Sequence, residues 1–240
     1  MSEQIDVEFK NIGYEIEGSK ILNKVNGKIY QGKITTIIGP SGAGKSTLLL
    51  FINALNSPTE GDIFIDGHLI NEYEAIKLRR KVQLVSQEAT MINGTVKDNL
   101  ELPLTLQNRT MTDKEAEGFL KDVDLPISFL NKNSKELSGG EKQKLSLARS
   151  LVTKPSVMLL DEVTSALDRS SVEAIESLLT LIKKKHDVTM IWITHDVNQA
   201  IRMSDYIWVM MNGEVVEIGT SEEIRHTTNK KVKKFIGAKI

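Results

Sequence analysis

Cysteine is absent from the 240 residues, which excludes a disulfide framework, thiolate metal ligands and a cysteine nucleophile. Charge of one sign is lacking too: 31 basic side chains stand against 32 acidic ones, a net charge of −1. No global field therefore recruits nucleic acid or anionic lipid, and no nucleic-acid partner is expected. Nor does any apolar run approach the roughly eighteen residues that a membrane helix needs, so the chain is not expected to span a bilayer by itself. The start, Met1-Ser2-Glu3-Gln4, has neither the basic nor the apolar region of a signal peptide, and the expected location is cytoplasmic. What is present is ordinary: 40% hydrophobic and 26% charged residues, the composition of a folded globular chain. The length is at the upper edge of one domain, or of two small ones sharing a core.

Strands and helices alternate along most of the chain. Val7 to Lys10 alternates as a half-buried strand, and Ile34 to Ile38 is a buried strand that stops at Gly39-Pro40-Ser41-Gly42. A helix follows, its apolar face built by Leu48, Leu49, Phe51, Ile52 and Leu55 and its end expected at Ser57-Pro58. Asp62 to Asp66, Val82 to Val85, Val157 to Leu160 and Val188 to Thr194 read as further strands, and Ser170 to Lys185 as a helix. Ile207 to Met211 and Glu214 to Ile218 flank Asn212-Gly213, the signature of a hairpin. Between Thr90 and Ser150 the pattern is helical, with a capping box at Thr112-Asp113-Lys114-Glu115 ahead of Ala116, Phe119, Leu120 and Val123. The expected fold class is α/β: a mostly parallel sheet covered on both faces, with a helical segment inserted into it.

Gly39-Pro40-Ser41-Gly42-Ala43-Gly44-Lys45-Ser46 fits G-x-x-x-x-G-K-S and lies between a predicted strand and a predicted helix. Its glycines let backbone N–H groups converge on phosphate oxygens, and the helix N-terminus adds partial positive charge. Lys45 is expected to reach the β- and γ-phosphates and Ser46 to offer its hydroxyl to magnesium. Val157 to Leu160 ends in Asp161-Glu162. Open α/β sheets bind ligands at the carboxyl ends of their strands, so both acids fall where the phosphate loop lies. Asp161 suits a magnesium role, while Glu162, pointing elsewhere, can polarise a water attacking the γ-phosphate. An acidic pair at a strand end can equally be a helix cap or a solvated turn; the neighbouring loop is what favours the catalytic reading.

Leu137-Ser138-Gly139-Gly140-Glu141 opens another predicted helix. Ser138 and Glu141 alone make a capping box, but two consecutive glycines carry an entropic penalty that a bare helix start does not explain. Exposed amides there can grip a second anion.

With these residues in hand the chain resembles the ATP-binding subunit of an ABC transporter over essentially its full length. The phosphate loop, Gln87, Leu137 to Glu141, Asp161-Glu162, Ser165-Ala166-Leu167-Asp168 and His195 occur in that family's order and approximate spacing. The resemblance implies a P-loop ATPase core with N-terminal antiparallel strands, a single domain over 1–240. Its nucleotide-binding core is 1–89 with 151–240, and its helical subdomain 90–150. ATP and Mg²⁺ are the implied ligands. Tyr14 corresponds to an aromatic that stacks on adenine, its alternative being a tyrosine packed on the core. Thr47 completes the phosphate loop. Gln87 corresponds to a glutamine touching magnesium and water, Glu162 to the catalytic carboxylate and His195 to a histidine at the γ-phosphate. Ser138, Gly139 and Gly140 serve ATP bound to a second copy of the chain, the two copies closing head to tail with Asp168 near their interface. A separate integral membrane permease is the implied partner, with this chain peripheral at the inner face of the membrane. His68, His186 and His226 have no such context and read as structural.

Two positions depart from the family pattern: Glu141 where glutamine is usual, and Val163 where proline is usual. Glu141 adds a negative charge near the phosphate site, which a reach back to the Ser138 amide partly neutralises; neither change touches a catalytic group, and hydrolysis is expected to survive both. After His195 the remaining residues are expected to be too few for an added regulatory domain. Met91, Ile92, Val96 and Leu100 belong either to a permease-facing groove or to the core. Lys230, Lys231, Lys233 and Lys234 beside Phe235 and Ile236 read as a solvated helix face, with contact to anionic lipid the alternative. Leu125 to Gln143, Thr164 to Asp168 and Ile191 to His195 most resemble bacterial iron-export ATPases, related to plant aluminium-tolerance transporters. Phosphate and amino-acid importer ATPases share the motifs, as do soluble ABC ATPases of iron–sulfur assembly. A P-loop kinase would have no use for Ser138 to Gly140.

Overall fold

Val7 and Phe9 turn inward from the first strand, β1 (Ile5–Ile16), and the alternation then breaks at Asn11, whose φ is 54°. Phe9 pairs with Gly27 but Ile12 with Val25, so β1 carries one extra residue there, a β-bulge. The bulge moves the inward face from odd to even positions, so Ile12 is buried and Tyr14 falls on the same side. β1 pairs antiparallel with β2 (Ser19–Tyr30) and with β4 (Glu60–Ile65), and β5 (His68–Leu69) lies at the edge, giving a four-stranded sheet of order β2-β1-β4-β5. The computed structural model describes residues 3–237; Met1 and Ser2, read above for a signal sequence, lie outside the described residues.

The second sheet holds β3 (Ile34–Ile38), β6 (Val82–Val85), β7 (Val157–Asp161), β8 (Thr189–Ile193), β9 (Tyr206–Met211) and β10 (Glu214–Thr220) in the order β10-β9-β3-β8-β7-β6. Every neighbouring pair is parallel except β9 with β10. That hairpin turns at Asn212 and Gly213, both left-handed at φ 51° and 79°, as its two-residue loop requires. All residues of β3 and β8 are buried, which is why these strands read as unbroken apolar runs. Their side chains divide between two faces. Met158, Leu160, Met190 and Trp192 pack beneath α3 (Val96–Thr105), α4 (Asp113–Asp122), α5 (Gly139–Leu151) and α6 (Arg169–His186). Leu159, Ile191 and Ile193 pack against α1 (Lys45–Ile52) and the antiparallel sheet. The third cluster joins β9 to α7 (Val197–Met203), α8 (Ser221–Arg225) and α9 (Lys230–Gly237). One more helix, α2 (Ala75–Lys81), leads into β6.

One expectation changes, and two further readings find their place. α1 ends at Ile52, not at Ser57: Asn53 caps it, Ala54 is left-handed at φ 52°, and the carbonyl of Leu50 takes the amides of Leu55 and Asn56. Leu55 is therefore exposed rather than part of the apolar face. Val96 and Leu100 are fully buried core, Met91 packs against the same cluster, and only Ile92 is exposed. On α9 the four lysines face solvent, while Val232 and Ile236 are buried. Each of the three remaining histidines has a local polar partner: His68 with the carbonyl of Asp66, His186 with Asp122 and His226 with Glu222.

Candidate functional site

β3 ends at Ile38, and the chain from Gly39 to Gly44 turns back to start α1. Glycine is required at the first position: φ is 155° at Gly39, and an added Cβ would lie 2.0 Å from the Met210 carbonyl oxygen of β9. Gly44, at φ 90°, would drive a Cβ to 2.5 Å from Leu22. The loop thus lies flush against two strands and has no room for side chains on that side. On the other side it borders a cavity of about 270 Å³ lined by Ser41, Gly42, Ala43, Gly44, Lys45, Ser46, Thr47, Glu162 and His195. The first turn of α1 opens into this space, with amides that have no helical acceptor of their own. Lys45 is buried and donates to the carbonyls of Gly39 and Pro40, at 3.0 and 2.9 Å, drawing its ammonium over the loop.

The acids at the end of β7 diverge. Asp161 accepts a hydrogen bond from the Ser46 hydroxyl at 3.3 Å. Burial pushes its carboxyl above the usual carboxylate range, the neighbouring Glu162 charge adds to this, and Ser46, Lys45 and His195 oppose it. Glu162 has a left-handed backbone, φ 52°, and its N–H donates to the Ile193 carbonyl at 3.0 Å. That twist sends its carboxylate away from Asp161 and to His195, with Oε1 and Nε2 2.5 Å apart. The phosphate loop, Asp161, Glu162 and His195 are therefore brought together at the carboxyl ends of adjacent strands, although Glu162 and His195 are 33 positions apart.

Other candidates lie apart from this cavity. Gln87 is exposed in the segment after β6 and does not line it. Tyr14 sets its ring edge-on to Phe51, centroids 5.2 Å apart, and its hydroxyl accepts from Asn56 Nδ2 at 2.9 Å. Phe51 is four residues beyond Thr47 on α1, hence on the same face of the helix that lines the cavity. Ser138, Gly139 and Gly140 open α5. Ser138 and Gly140 border a separate cleft of about 220 Å³ with Glu141, Lys144, Ser170 and Ser171. The capping box is complete: Ser138 Oγ accepts from the Glu141 amide at 3.3 Å, and the Glu141 carboxylate accepts from the Ser138 amide at 2.7 Å. This second bond holds the Glu141 carboxyl below its ordinary value. Gly140 has a packing reason as well, since a Cβ would come within 2.9 Å of Ser171 Oγ; Gly139 has none, its nearest neighbour being Leu167 at 3.7 Å. Asp168 caps α6, accepting from both Ser170 and Ser171 hydroxyls and from the Ser171 amide, and these bonds hold its carboxyl far below the ordinary range.

One group near the Glu162–His195 pair has no counterpart among the sequence expectations. The buried side chains of Thr164, Thr194, Gln199 and Glu176 form a hydrogen-bonded cluster behind it. Gln199 on α7 and Glu176 on α6 are polar residues of amphipathic helices, and Thr164 and Thr194 are loop threonines, so their sequence carries no sign of burial.

Comparison with known proteins identifies the family. Residues 22–165 match the ABC transporter family model. ABC transporter I family member 17 of Arabidopsis thaliana is 38% identical over 220 residues, 92% of this chain and 84% of its own. The probable iron export ATP-binding protein FetA of Escherichia coli is 38% identical over 193 residues, 80% of this chain and 86% of its own. The choline transport ATP-binding protein OpuBA of Bacillus subtilis is 36% identical over 224 residues, 92% of this chain but 59% of its own. Among solved structures, cbiO1 from Clostridium perfringens, part of the ABC transporter complex cbiONQ, superposes with a TM-score of 0.85 at 27% identity, over 99% of this chain and 96% of its own. An ATP-binding cassette solved as a dimer in a post-hydrolysis state with ADP and Pi gives 0.77 at 34% identity, over 90% of this chain and 98% of its own. The chain belongs to the ABC transporter family and is one of its ATP-binding, ATP-hydrolysing members.

Proposed function

We propose that the chain is the ATPase subunit of a transporter whose membrane permease is a separate polypeptide, and that two copies close head to tail around two ATP molecules. The observation that carries the ATPase part of this reading is the cavity in which the phosphate loop faces a carboxylate–imidazole pair. In it the backbone N–H groups of Ser41 to Thr47, on the turn that Gly39 and Pro40 open, and the Lys45 ammonium hold the phosphates. Glu162 takes a proton from the attacking water while His195 orients the γ-phosphate and Glu162 together. Tyr14, on β1 and edge-on to Phe51 of α1, offers its ring to adenine. Ser46 and Asp161 are a pair of hard oxygen donors already in contact, which fits Mg²⁺, an ion that keeps several waters and takes one or two protein oxygens. They would hold it, with Gln87 approaching from its exposed segment; the ion supplies charge neutralisation on the phosphates. Ser138 and Gly140, with Gly139 free of any packing demand, serve the nucleotide of the other copy, and the adjacent Asp168 lies at that interface.

The core, 1–89 with 151–240, carries this chemistry, and 90–150 carries the permease. Support comes from a groove of about 490 Å³ where α3 and α5 of that segment meet α2 and β6 of the core, with Ile76 and Leu106 exposed beside Arg79, Arg80 and Arg149. Among the described residues no helix is long and apolar enough to cross a membrane. On the transporter reading the chain works at the cytoplasmic face, held there by its permease. Metal export, iron first, is the favoured cargo, supported by the subfamily resemblance and by the similarity to the iron export relative; the choline relative shows that the fold serves other cargoes.

The test is Glu162→Gln. It should leave ATP binding intact and lower turnover by about 10²–10⁴-fold, the range for a positioned general base. Turnover at the parental rate sinks the assignment. The same tagged variant, incubated with ATP and detergent-solubilised membranes of its host, should retain a multi-span permease; recovery of soluble partners alone refutes the transport reading and leaves the ATPase intact.

A further inference from the structure

The cluster behind the catalytic pair is built around one side chain. Gln199, on α7, is 1% exposed. Its Oε1 accepts from Thr194 Oγ1 at 2.7 Å and from Thr164 Oγ1 at 3.2 Å, and its Nε2 donates to Glu176 Oε1 at 2.8 Å. Glu176 is buried on α6 and takes two hydrogen bonds from Arg202, at 3.1 and 2.6 Å. The amide can point only one way. Reversed, it would set a carbonyl oxygen against a carboxylate.

The two threonines are not arbitrary partners. Thr194 immediately precedes His195, and Thr164 follows Glu162 by two residues. One amide oxygen therefore ties the loop after β7 to the loop after β8. We infer that Gln199 is a positioning residue for ATP hydrolysis, clamping together the two loops that carry Glu162 and His195. The inference rests on the roles proposed above for that pair.

Two further observations make the clamp necessary. Glu162 sits in the left-handed region, at φ 52°, which is unfavourable for a residue with a Cβ and persists only where the surroundings over-determine it. The Thr164 bond to Gln199 is one such restraint, beside the bonds of Ser165 to the Glu162 carbonyl. The pair itself faces the open cavity, His195 being 38% exposed at its side chain, so its 2.5 Å contact is no firmer than the loops beneath it. A displacement of about 1 Å in a reacting group is enough to lower a rate by about 10²-fold.

The experiment measures ATP turnover of the purified full chain with and without Gln199→Leu, in the parental and in the Glu162→Gln background, alongside binding of a fluorescent ATP analogue and thermal unfolding. Gln199→Leu should lower kcat by about 10–100-fold and leave KM and analogue affinity within about two-fold, because the phosphate loop is untouched. In the Glu162→Gln background the same change should cost less than about three-fold, since groups acting as a unit are lost only once. Parental kcat in Gln199→Leu overturns the inference, as does a loss that persists undiminished without Glu162. Should Gln199→Leu fail to fold, Thr164→Val decides by the same criteria, with an expected loss of about three- to ten-fold. If Glu162→Gln alone retains full turnover, the reading of the site fails and this inference falls with it. If Glu162→Gln is inactive while Gln199→Leu is parental, only the clamp is wrong.

Discussion

Replacing Gly39 by alanine tests how the phosphate loop is held. The new Cβ would lie 2.0 Å from the Met210 carbonyl oxygen and 3.0 Å from its carbon, atoms of a central strand that no rotamer change can move aside. The loop has to retreat by about 1 Å to reach even the tightest contact that real Cβ atoms make. Its φ of 155° adds backbone strain of about 1–3 kcal/mol for any residue but glycine. Overpacking against a rigid neighbour is worth another 1–3 kcal/mol, roughly, so the loop relaxes outward rather than absorb both. A shift of that size in the amides that grip phosphate should lower affinity for a fluorescent ATP analogue, and turnover with it, by about 10²-fold. Gly67→Ala is the control: its φ is also positive, 77°, but it has nothing within 4 Å of the added atom and does not line the cavity. It should lower the melting temperature by about 2–8 °C, from roughly 1–2 kcal/mol of strain, with no change in nucleotide affinity. Parental affinity in Gly39→Ala would falsify the steric argument, and so would an equal loss of affinity in the control.

Lys45→Ala removes the charge and the two hydrogen bonds to Gly39 and Pro40; nucleotide affinity should fall about 10–100-fold, and unchanged binding in the same titration refutes the phosphate-loop assignment. Because burial raises the Asp161 carboxyl above its ordinary value, the folded chain takes up that proton more readily than the unfolded one. Ionised Asp161 therefore weakens the nucleotide-free fold, a loss that begins as pH rises through the ordinary carboxylate range and is complete above the raised folded value. Asp161→Asn should melt higher than the parent near about pH 7, with the gap closing toward acid pH; a lower melting temperature at neutrality contradicts the reasoning. Tyr14→Ala should weaken ATP binding by about five- to 100-fold if its ring carries adenine, on the scale of base–aromatic stacking. Unaltered affinity assigns Tyr14 to its contacts with Phe51 and Asn56 alone.

The sequence alone determined whatever rests on neighbouring residues. The phosphate loop needs glycines in a fixed run between a strand and a helix. The capping boxes at Thr112 and Ser138 close over three residues, and the hairpin at Asn212-Gly213 over two. Parallel strands announce themselves because burial on both faces leaves no polar alternation. Only the tertiary structure decided the rest. A single inserted residue at Asn11 turned Tyr14 toward α1, and a bulge changes parity without changing composition. Leu55 is exposed and Val96 and Leu100 are buried, because the helix end at Ile52 and the sheet beneath α3 are set by packing. Gln199 looks like any polar residue on an amphipathic helix, yet it joins Thr164 and Glu176, 35 and 23 positions away, to Thr194. The motifs placed the reactive groups in the chain; chain closure brought Glu162 and His195 within 2.5 Å, since that distance belongs to the sheet order and not to either local sequence.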